Sequence, residues 1–529
     1  MQKYLFSILS FSLPALLFGG SPNLIWTQTY GEAPYNQQYS CMALGFGDNL
    51  FVGGSVYFGS YGNALQNKYG PLGALVYNRM YVNNYPVAQS DEPVALFPDG
   101  NGGVTVFGYI NRLHQLLHTC YYDTYGNLIT DYFLGDTTIG DTRPFQVITS
   151  GDSVYYVLGE LNGSGTLFKC NAQNNIYWSQ PLHNSYNIST GKIASDNAGN
   201  IIAAIFDSTS PELFITRFDW QSGQILNSFD THIDTFAQND SSVLLAIDNG
   251  NNIFISALTS DTAHPEQKVV KFDVAGNVLW SAVCTSPRGY FIPNSLTHLI
   301  TDSQGNVLIN GLYQDYADTS QFAALYKLSD DSGLVLWTAI DSGNYVMGGA
   351  IGLDPDDDVY MGTLKSYAST SAYSLLWFNS YLASTGALNW TRSFDNGANN
   401  TNIDIQVNYA GDVFFTTNQT IDTVGLWFAG RVGNAAGDAG INAISDDNED
   451  MHVFPNPFSN STNIEFALTS NQKVRFRVFD VAGNVLHDKE IQGMQGDNLI
   501  SYKGVFSSGI YLFQITAAEG VICRKAVSY

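Results

Sequence analysis

The feature that most constrains this chain is a repeat of about 52 residues. A polar turn followed by an apolar strand occurs as GDNLFVGGSV, GGVTVFGYI, GDSVYYVLGE, GNIIAAIF, NNIFISALT, GNVLINGLY, DDVYMGTL and GDVFFTTN. The first apolar residue after each turn gives the series Leu50, Val104, Val154, Ile201, Ile253, Val307, Val359 and Val413, with spacings of 54, 50, 47, 52, 54, 52 and 54. A second signature alternates with the first, as in LFKCNAQNNIYW, VVKFDVAGNVLW and ALYKLSDDSGLVLW: a strand, a turn rich in Asp, Asn or Gly, and a strand often ending in Trp. A unit this short cannot bury its apolar residues alone, so such units stack on one another. Eight units of four short strands predict an all-β chain whose main part is an eight-bladed β-propeller.

Local chemistry agrees with that reading. Asp196, Asp248, Asp302 and Asp354 each stand five residues before the marker of their unit. An Asp there closes its own turn through its side chain, and a nearby Gly supplies positive φ. Strands such as NVLINGLY are apolar on both faces, as sheets packed between two neighbours require. The eighth unit lacks a Trp-ended fourth strand, but PNLIWTQTY at Pro22–Tyr30 has the sequence of one. The N-terminal strand is therefore expected to complete the last blade and close the ring, removing exposed sheet edges.

Trp26, Trp178, Trp280, Trp337 and Trp390 occupy the fourth-strand end in five of the eight units. This pattern resembles the repeats of quinoprotein-type eight-bladed propellers, where such Trp residues lock adjacent blades. The resemblance implies pyrroloquinoline quinone and Ca²⁺ in the central channel, in many members with a vicinal Cys pair. No Cys-Cys is present here, which argues against that cofactor, and none is assigned.

The repeat stops after Arg431. A small, polar, acidic stretch, VGNAAGDAGINAISDDNED, reads as a linker over 432–450. Residues 451–529 hold 7 of the 22 Lys and Arg and 6 of the 47 Asp and Glu, so the tail is +1 and the remainder −26. Six short strands separated by turns predict a small immunoglobulin-like β-sandwich. In VRFRVFD, Val474, Phe476 and Val478 share one face, and Arg475 and Arg477 the other. The octapeptide FDVAGNVL occurs both here, at 479–486, and in the propeller, at 272–279. We read it as one turn solution used by two unrelated domains.

The tail resembles the C-terminal sorting domain of type IX secretion substrates. The residues that carry the likeness are FPNPF at Phe454–Phe458, the octapeptide, SGIYLFQI at Ser508–Ile515 and the basic pair Arg524 and Lys525. The resemblance implies passage across the outer membrane by that machinery, with the tail often removed and the cargo released or attached to surface lipopolysaccharide. At the other end, Lys3, the apolar run Tyr4–Phe18 and the small residues Gly19, Gly20 and Ser21 read as a secretory signal peptide over residues 1–20. The run is too short for a comfortable membrane span. The first Cys is Cys41, far from the cleavage site, so no lipoprotein anchor is expected.

Net charge is −25, which repels phosphate backbones and makes nucleic acid a poor partner. Cys41, Cys120, Cys170, Cys284 and Cys523 are widely spread and read as small buried hydrophobes with no structural disulfide. Few stretches invite chemistry. Asp354, Asp356 and Asp358 alternate in DPDDDVY, where carboxylates are able to ligate Ca²⁺, but the Gly and later acid of a full calcium loop are missing. A solvated acidic turn is the plainer reading. His114 and His118 in HQLLH would share a face of a strand, with no third ligand in view. No catalytic, cofactor or metal residues are assigned. The expected role is non-catalytic binding or adhesion to an extracellular glycan or protein through loops on one face. The alternatives are an extracellular polysaccharide hydrolase or lyase with acidic residues at the channel mouth, and a structural surface-layer component.

Overall fold

The computed structural model describes residues 22–433 and 451–528 except for short internal segments, of which 82–90, 232–242, 259–265 and 367–373 are the longest. The expected signal peptide at 1–20 and the linker from residue 434 onward lie outside the described residues. All described regular structure is β-strand.

Between residues 23 and 433 the described strands form eight antiparallel sheets, seven of four strands and one of five. Seven are consecutive in sequence: 36–80, 92–134, 143–181, 186–230, 244–284, 289–342 and 345–394. They are numbered sheets 1 to 7 here. Sheet 8 joins Asn399–Val407, Val413–Ile421 and Val424–Gly433 to Asn23–Tyr30 from the start of the chain. Its register pairs Asn23 with Gly433, Trp26 with Arg431 and Tyr30 with Trp427. First strands of successive sheets pack against one another, except that the first strand of sheet 7 packs on the second and third strands of sheet 6, and the first strands of sheets 8 and 1 also meet. The 8–1 contact is also hydrogen-bonded: Tyr39 N–H donates to Asn418 Oδ1 at 2.7 Å and Leu44 N–H to Gln406 Oε1 at 2.7 Å. The sheets meet face to face, in a propeller-like arrangement.

Burial follows from this stacking. Residues Val307–Tyr313 of sheet 6 are buried on both sides of the strand, the alternate residues facing sheets 5 and 7. The outer strands carry the link between sheets. Trp26 Nε1 donates to Pro71 O at 3.0 Å, Trp178 to Trp220 O at 3.3 Å, Trp280 to Asp330 O at 2.7 Å and Trp337 to Ala383 O at 3.1 Å. Each acceptor lies in the turn after the third strand of the next sheet. That turn must come very close to the indole. Gly333 has φ +69°, and a Cβ there would sit 2.5 Å from the Trp280 ring, so only Gly meets both demands. In sheet 4, Asn227 stands in the Trp position and donates Nδ2 to Val274 O at 2.8 Å. Trp390 is the exception, since its Nε1 is buried with no partner among the described residues. The turn that would receive it is missing from sheet 8, whose third and fourth strands are the two ends of the repeat region.

The tail forms a three-stranded sheet and a four-stranded sheet over one core that includes Met451, Phe458, Ile464, Phe476, Phe513 and Ile515. All six strands read from the sequence are present, with a seventh at Met451–Phe454. Val474, Phe476 and Val478 are buried, whereas Arg475 is exposed. The two octapeptides share a register. Phe272 pairs with Val278 and Phe479 with Val485, each just after a register shift. In the propeller copy, Asp273 Oδ1 accepts from Ala275 N–H and Asn277 N–H at 2.9 and 2.8 Å, and Gly276 has φ 94°. Turn residues 481–484 of the tail copy lie outside the described residues.

Candidate functional site

Antiparallel strands give each sheet two ends, and the ends differ in chemistry. At one end lie the turns joining first to second and third to fourth strands. Asp196 Oδ1 accepts from Ala198 and Asn200 N–H, Asp302 Oδ1 from Gln304 and Asn306 N–H, and Asp354 Oδ1 from Asp356 and Asp358 N–H, all at 2.8–3.0 Å. Asp248 Oδ1 accepts from Asn252 N–H at 2.7 Å. Asp99 and Asn408 do the same for their own turns. They also stand five residues before their markers, so that sequence signal extends to six units.

A second partner for these carboxylates comes from the third strand. Arg217 pairs with Asp196, Lys271 with Asp248 at 3.3 Å and Lys327 with Asp302 at 2.8 Å, while in sheet 8, where Asn408 closes the turn, Arg431 pairs with Asp412 of the same turn at 2.5 Å. Lys68 and Lys169 occupy the equivalent place in sheets 1 and 3 and donate to turn carbonyls of the next sheet, Gly102 O at 2.7 Å and Trp220 O at 2.9 Å. In the two remaining sheets a tyrosine hydroxyl reaches the carboxylate instead, Tyr121 to Asp99 at 2.7 Å and Tyr360 to Asp354 at 2.9 Å. A Lys or Arg immediately before the turn signature recurs in six units, a periodic signal the sequence reading did not use.

The acidic stretch DPDDDVY belongs to this scaffold. Asp354 holds its own turn and Asp358 Oδ1 accepts from Ala383 N–H at 2.8 Å. Asp357 receives Ser303 N–H at 3.0 Å and its hydroxyl at 2.5 Å, tying the turn of sheet 7 to that of sheet 6. Burial pushes the Asp358 carboxyl up, helped by its acidic neighbours. Among the described residues no group of three His, Cys, Asp or Glu side chains converges as a metal site would require.

His114 and His118 are not brought together as expected. The strand begins at Gln115, so His114 sits in the approach to it, 3.5 Å from Asp141, and only His118 is in the strand. His118 is buried, with Nε2 at 2.6 Å from Asp131 Oδ1 and its ring between Tyr81 and Phe133, at 4.4 and 4.9 Å. It lines a small cleft between sheets 1 and 2 with Gln66, Arg79 and Glu92. Cys41, Cys120, Cys170 and Cys284 are free thiols, and burial pushes those of Cys120, Cys170 and Cys284 up to about 12. The side chain of Cys523 lies outside the described residues.

The inner wall carries a layer that sequence spacing does not reveal. In each sheet, one first-strand residue stands opposite the position three after the marker. Register puts there Cys41, Ala95, Val147, Lys192, Leu244, His298, Ala350 and Asp404. His298 follows by continuing the pairing of Leu299 with Ile309, and its N–H donates to Asn310 Oδ1 at 2.7 Å. Burial pushes the Asp404 carboxyl up to about 6. Burial, then the nearby Lys192 charge, brings His298 down to about 4, and burial also lowers Lys192.

The strand ends opposite the tight turns carry different groups. Arg143 lies 4.6 Å from the Tyr109 ring, and Tyr57 donates to Glu92 Oε1 at 3.4 Å. Arg288 pairs with Asp315 beside Tyr290 and Tyr316. Lys365 pairs with Asp341 and stacks at 4.0 Å on Trp377. Aromatic rings beside charged side chains suit polar, ring-shaped ligands.

Comparison with known proteins bears on the tail first. Residues 452–528 match the family of secretion system C-terminal sorting domains. The tail is a type IX secretion sorting domain. The protein is accordingly secreted, to the medium or the cell surface, and its tail interacts with the secretion machinery. No helix among the described residues is long and apolar enough to cross a membrane. No curated protein sequence matches the chain. Among solved structures, the WD40 domain of SCAP from fission yeast is similar at 10% identity and a TM-score of 0.43, covering 78% of this chain and 98% of that one. A PL25 ulvan lyase is similar at 10% identity and 0.41, covering 63% and 90%. The polysaccharide lyase Uly1 is similar at 7% and 0.40, covering 77% and 91%. Likeness at this level assigns no activity.

Proposed function

We propose that residues 22–431 form an eight-bladed propeller closed by the N-terminal strand, preceded by a signal peptide (1–20) and joined by a linker (432–450) to an immunoglobulin-like sorting domain (451–529). The exported propeller is a non-catalytic binding or adhesion module for an extracellular glycan or protein. The observation that carries this reading is the difference between the two strand ends. At one end, carboxylates, Lys, Arg and Trp are saturated by internal partners in nearly every sheet. At the other, the connections differ in length and residue type from unit to unit, as in 231–243 against 343–344, and rings and charges replace the repeated turn. A rigid scaffold with variable connections on one side is how binding loops are usually held.

A second reading, an extracellular polysaccharide hydrolase or lyase, is favoured by one observation: Asp404, whose carboxyl is raised to about 6, is suited to moving a proton near neutral pH. One experiment separates the two. The full secreted protein is applied to glycan and protein arrays and, in parallel, incubated with a polysaccharide panel whose reducing ends and unsaturated products are followed. Saturable binding without turnover supports the binding module. Turnover lost in Asp404→Asn supports the enzyme and sinks the non-catalytic reading.

A further inference from the structure

Most cations of the tight-turn scaffold are matched by an internal acceptor. Arg217, Lys271, Lys327, Lys365 and Arg431 each have a carboxylate partner, and Lys68 and Lys169 have turn carbonyls. Lys192 has neither. Among the described residues none accepts a hydrogen bond from its Nζ, although most of the side chain is enclosed. An ammonium withdrawn from water without a counter-charge is costly, so the site favours an anion supplied from outside.

Register places a second group to share it. Lys192 and His298 stand at the same height on the first strands of sheets 4 and 6, with Leu244 of sheet 5 between them. Ser256, the partner of Leu244, keeps a buried hydroxyl with no partner among the described residues. Asp404, on sheet 8, acts on Tyr39 and Cys41, and the charge that acts on His298 is that of Lys192. Burial is the main reason His298 is held down to about 4, and the Lys192 charge adds to it. The ring is neutral at neutral pH and so is able to donate one hydrogen bond while Lys192 supplies the charge.

We propose that Lys192 and His298 form an anion site on the channel wall, and that its ligand is the carboxylate or sulfate of an acidic saccharide. The saccharide half rests on the glycan-binding reading above. With a net charge of −25 the protein repels small anions at long range. A ligand that is held must add contacts beyond its charge, and rings such as the half-buried Tyr57 and the exposed Tyr316 at the open strand ends offer stacking surfaces for sugar.

The test uses the full secreted protein with three probes: an oligogalacturonate, a neutral galacto-oligosaccharide of equal length, and sodium sulfate at constant ionic strength. The acidic oligosaccharide is expected to bind at least about tenfold tighter than the neutral one, the worth of one charge-assisted hydrogen bond. Sulfate should compete with the acidic ligand and raise the His298 titration midpoint followed by NMR. Lys192→Gln should abolish the preference and the midpoint shift, whereas Lys192→Arg should keep both. A Lys192→Gln protein that melts like the parent and still prefers the acidic ligand overturns the site. Equal binding of both saccharides overturns it while leaving glycan binding intact. A sulfate-dependent His298 shift that needs Lys192, with neither saccharide bound, supports the anion site and removes its glycan ligand along with the glycan reading.

Discussion

The two ends of the sheets obey different rules. At the tight-turn end, the same solution recurs: an Asp that closes a turn, a cation or tyrosine that anchors it, and an aromatic ring under the next turn. Nearly every carboxylate, cation and indole described there has an internal partner, Trp390 being the exception, so the chemistry is consumed in holding sheets together. At the other end the groups vary from sheet to sheet, and no turn motif repeats. Repetition marks what the scaffold needs, and variation marks where ligand-specific change costs little stability. Nothing about acidity by itself makes a site here, since the most acidic stretch, 354–358, lies on the saturated side.

The hardest blow to this contrast is aimed at the seam. Deleting residues 22–30 removes the fourth strand of sheet 8 and the Trp26 anchor, and the protein should aggregate or melt far below the parent in a thermal scan. Trp26→Ala is the milder version, costing about 3–5 kcal/mol. A deletion that melts like the parent would show that the seam carries no load. Next in size is the cation row. Lys327→Met leaves the buried Asp302 carboxylate without its cation, at a cost of about 3–5 kcal/mol. Tyr316→Ala, at an exposed position beyond the opposite strand ends, should stay within about 0.5 kcal/mol. Equal losses in denaturant unfolding would erase the distinction between the ends. Smaller again is Gly333→Ala. Its left-handed conformation alone costs a side chain about 1–2 kcal/mol, and the added methyl must displace Trp280, visible as a changed tryptophan emission.

A further effect, read against pH, concerns Asp404. Its folded-state value of about 6 lies above the ordinary 3.8, so between those limits the folded state binds more protons than the unfolded one. Stability from this group therefore rises as pH falls from about 6 to 4. It is lost as pH climbs back through 6. Melting temperatures of the parent and Asp404→Asn across that window isolate the contribution. An identical slope in both proteins would mean that Asp404 is not enclosed by the inner wall.

What the sequence disclosed follows from how each feature is encoded. Markers, Asp turns and Trp positions are tied to local turns, so they recur at fixed offsets and were read in advance. The strand at Pro22–Tyr30 was found because it is a displaced copy of a periodic element. The cation row was equally periodic, but Lys, Arg, Tyr and Ser alternate in it and no single letter betrays it. The inner layer was not legible at all. Register shifts at Tyr39/Cys41, Pro93/Ala95, Asn187/Lys192 and Thr401/Ile403 change which first-strand residue meets the marker strand, and spacing along the chain does not show a bulge. His114 and His118 failed as a pair for a similar reason, because the strand starts one residue too late to include both.

The seam also sets an order in time. Asn36 and Gly425, 389 residues apart, are joined by a hydrogen bond, and the strand just before Asn36 closes on Gly433. Within the repeat region, the segment that is synthesised first is thus the one whose partner arrives last. Sheets 1 to 7 are each local and can assemble as they appear, but sheet 8 must wait until nearly the whole repeat region is present. Contacts that span so much chain form slowly, because the intervening loop must be closed before they give any return. A protein built this way stays unfinished until the last strands of the repeat region are available.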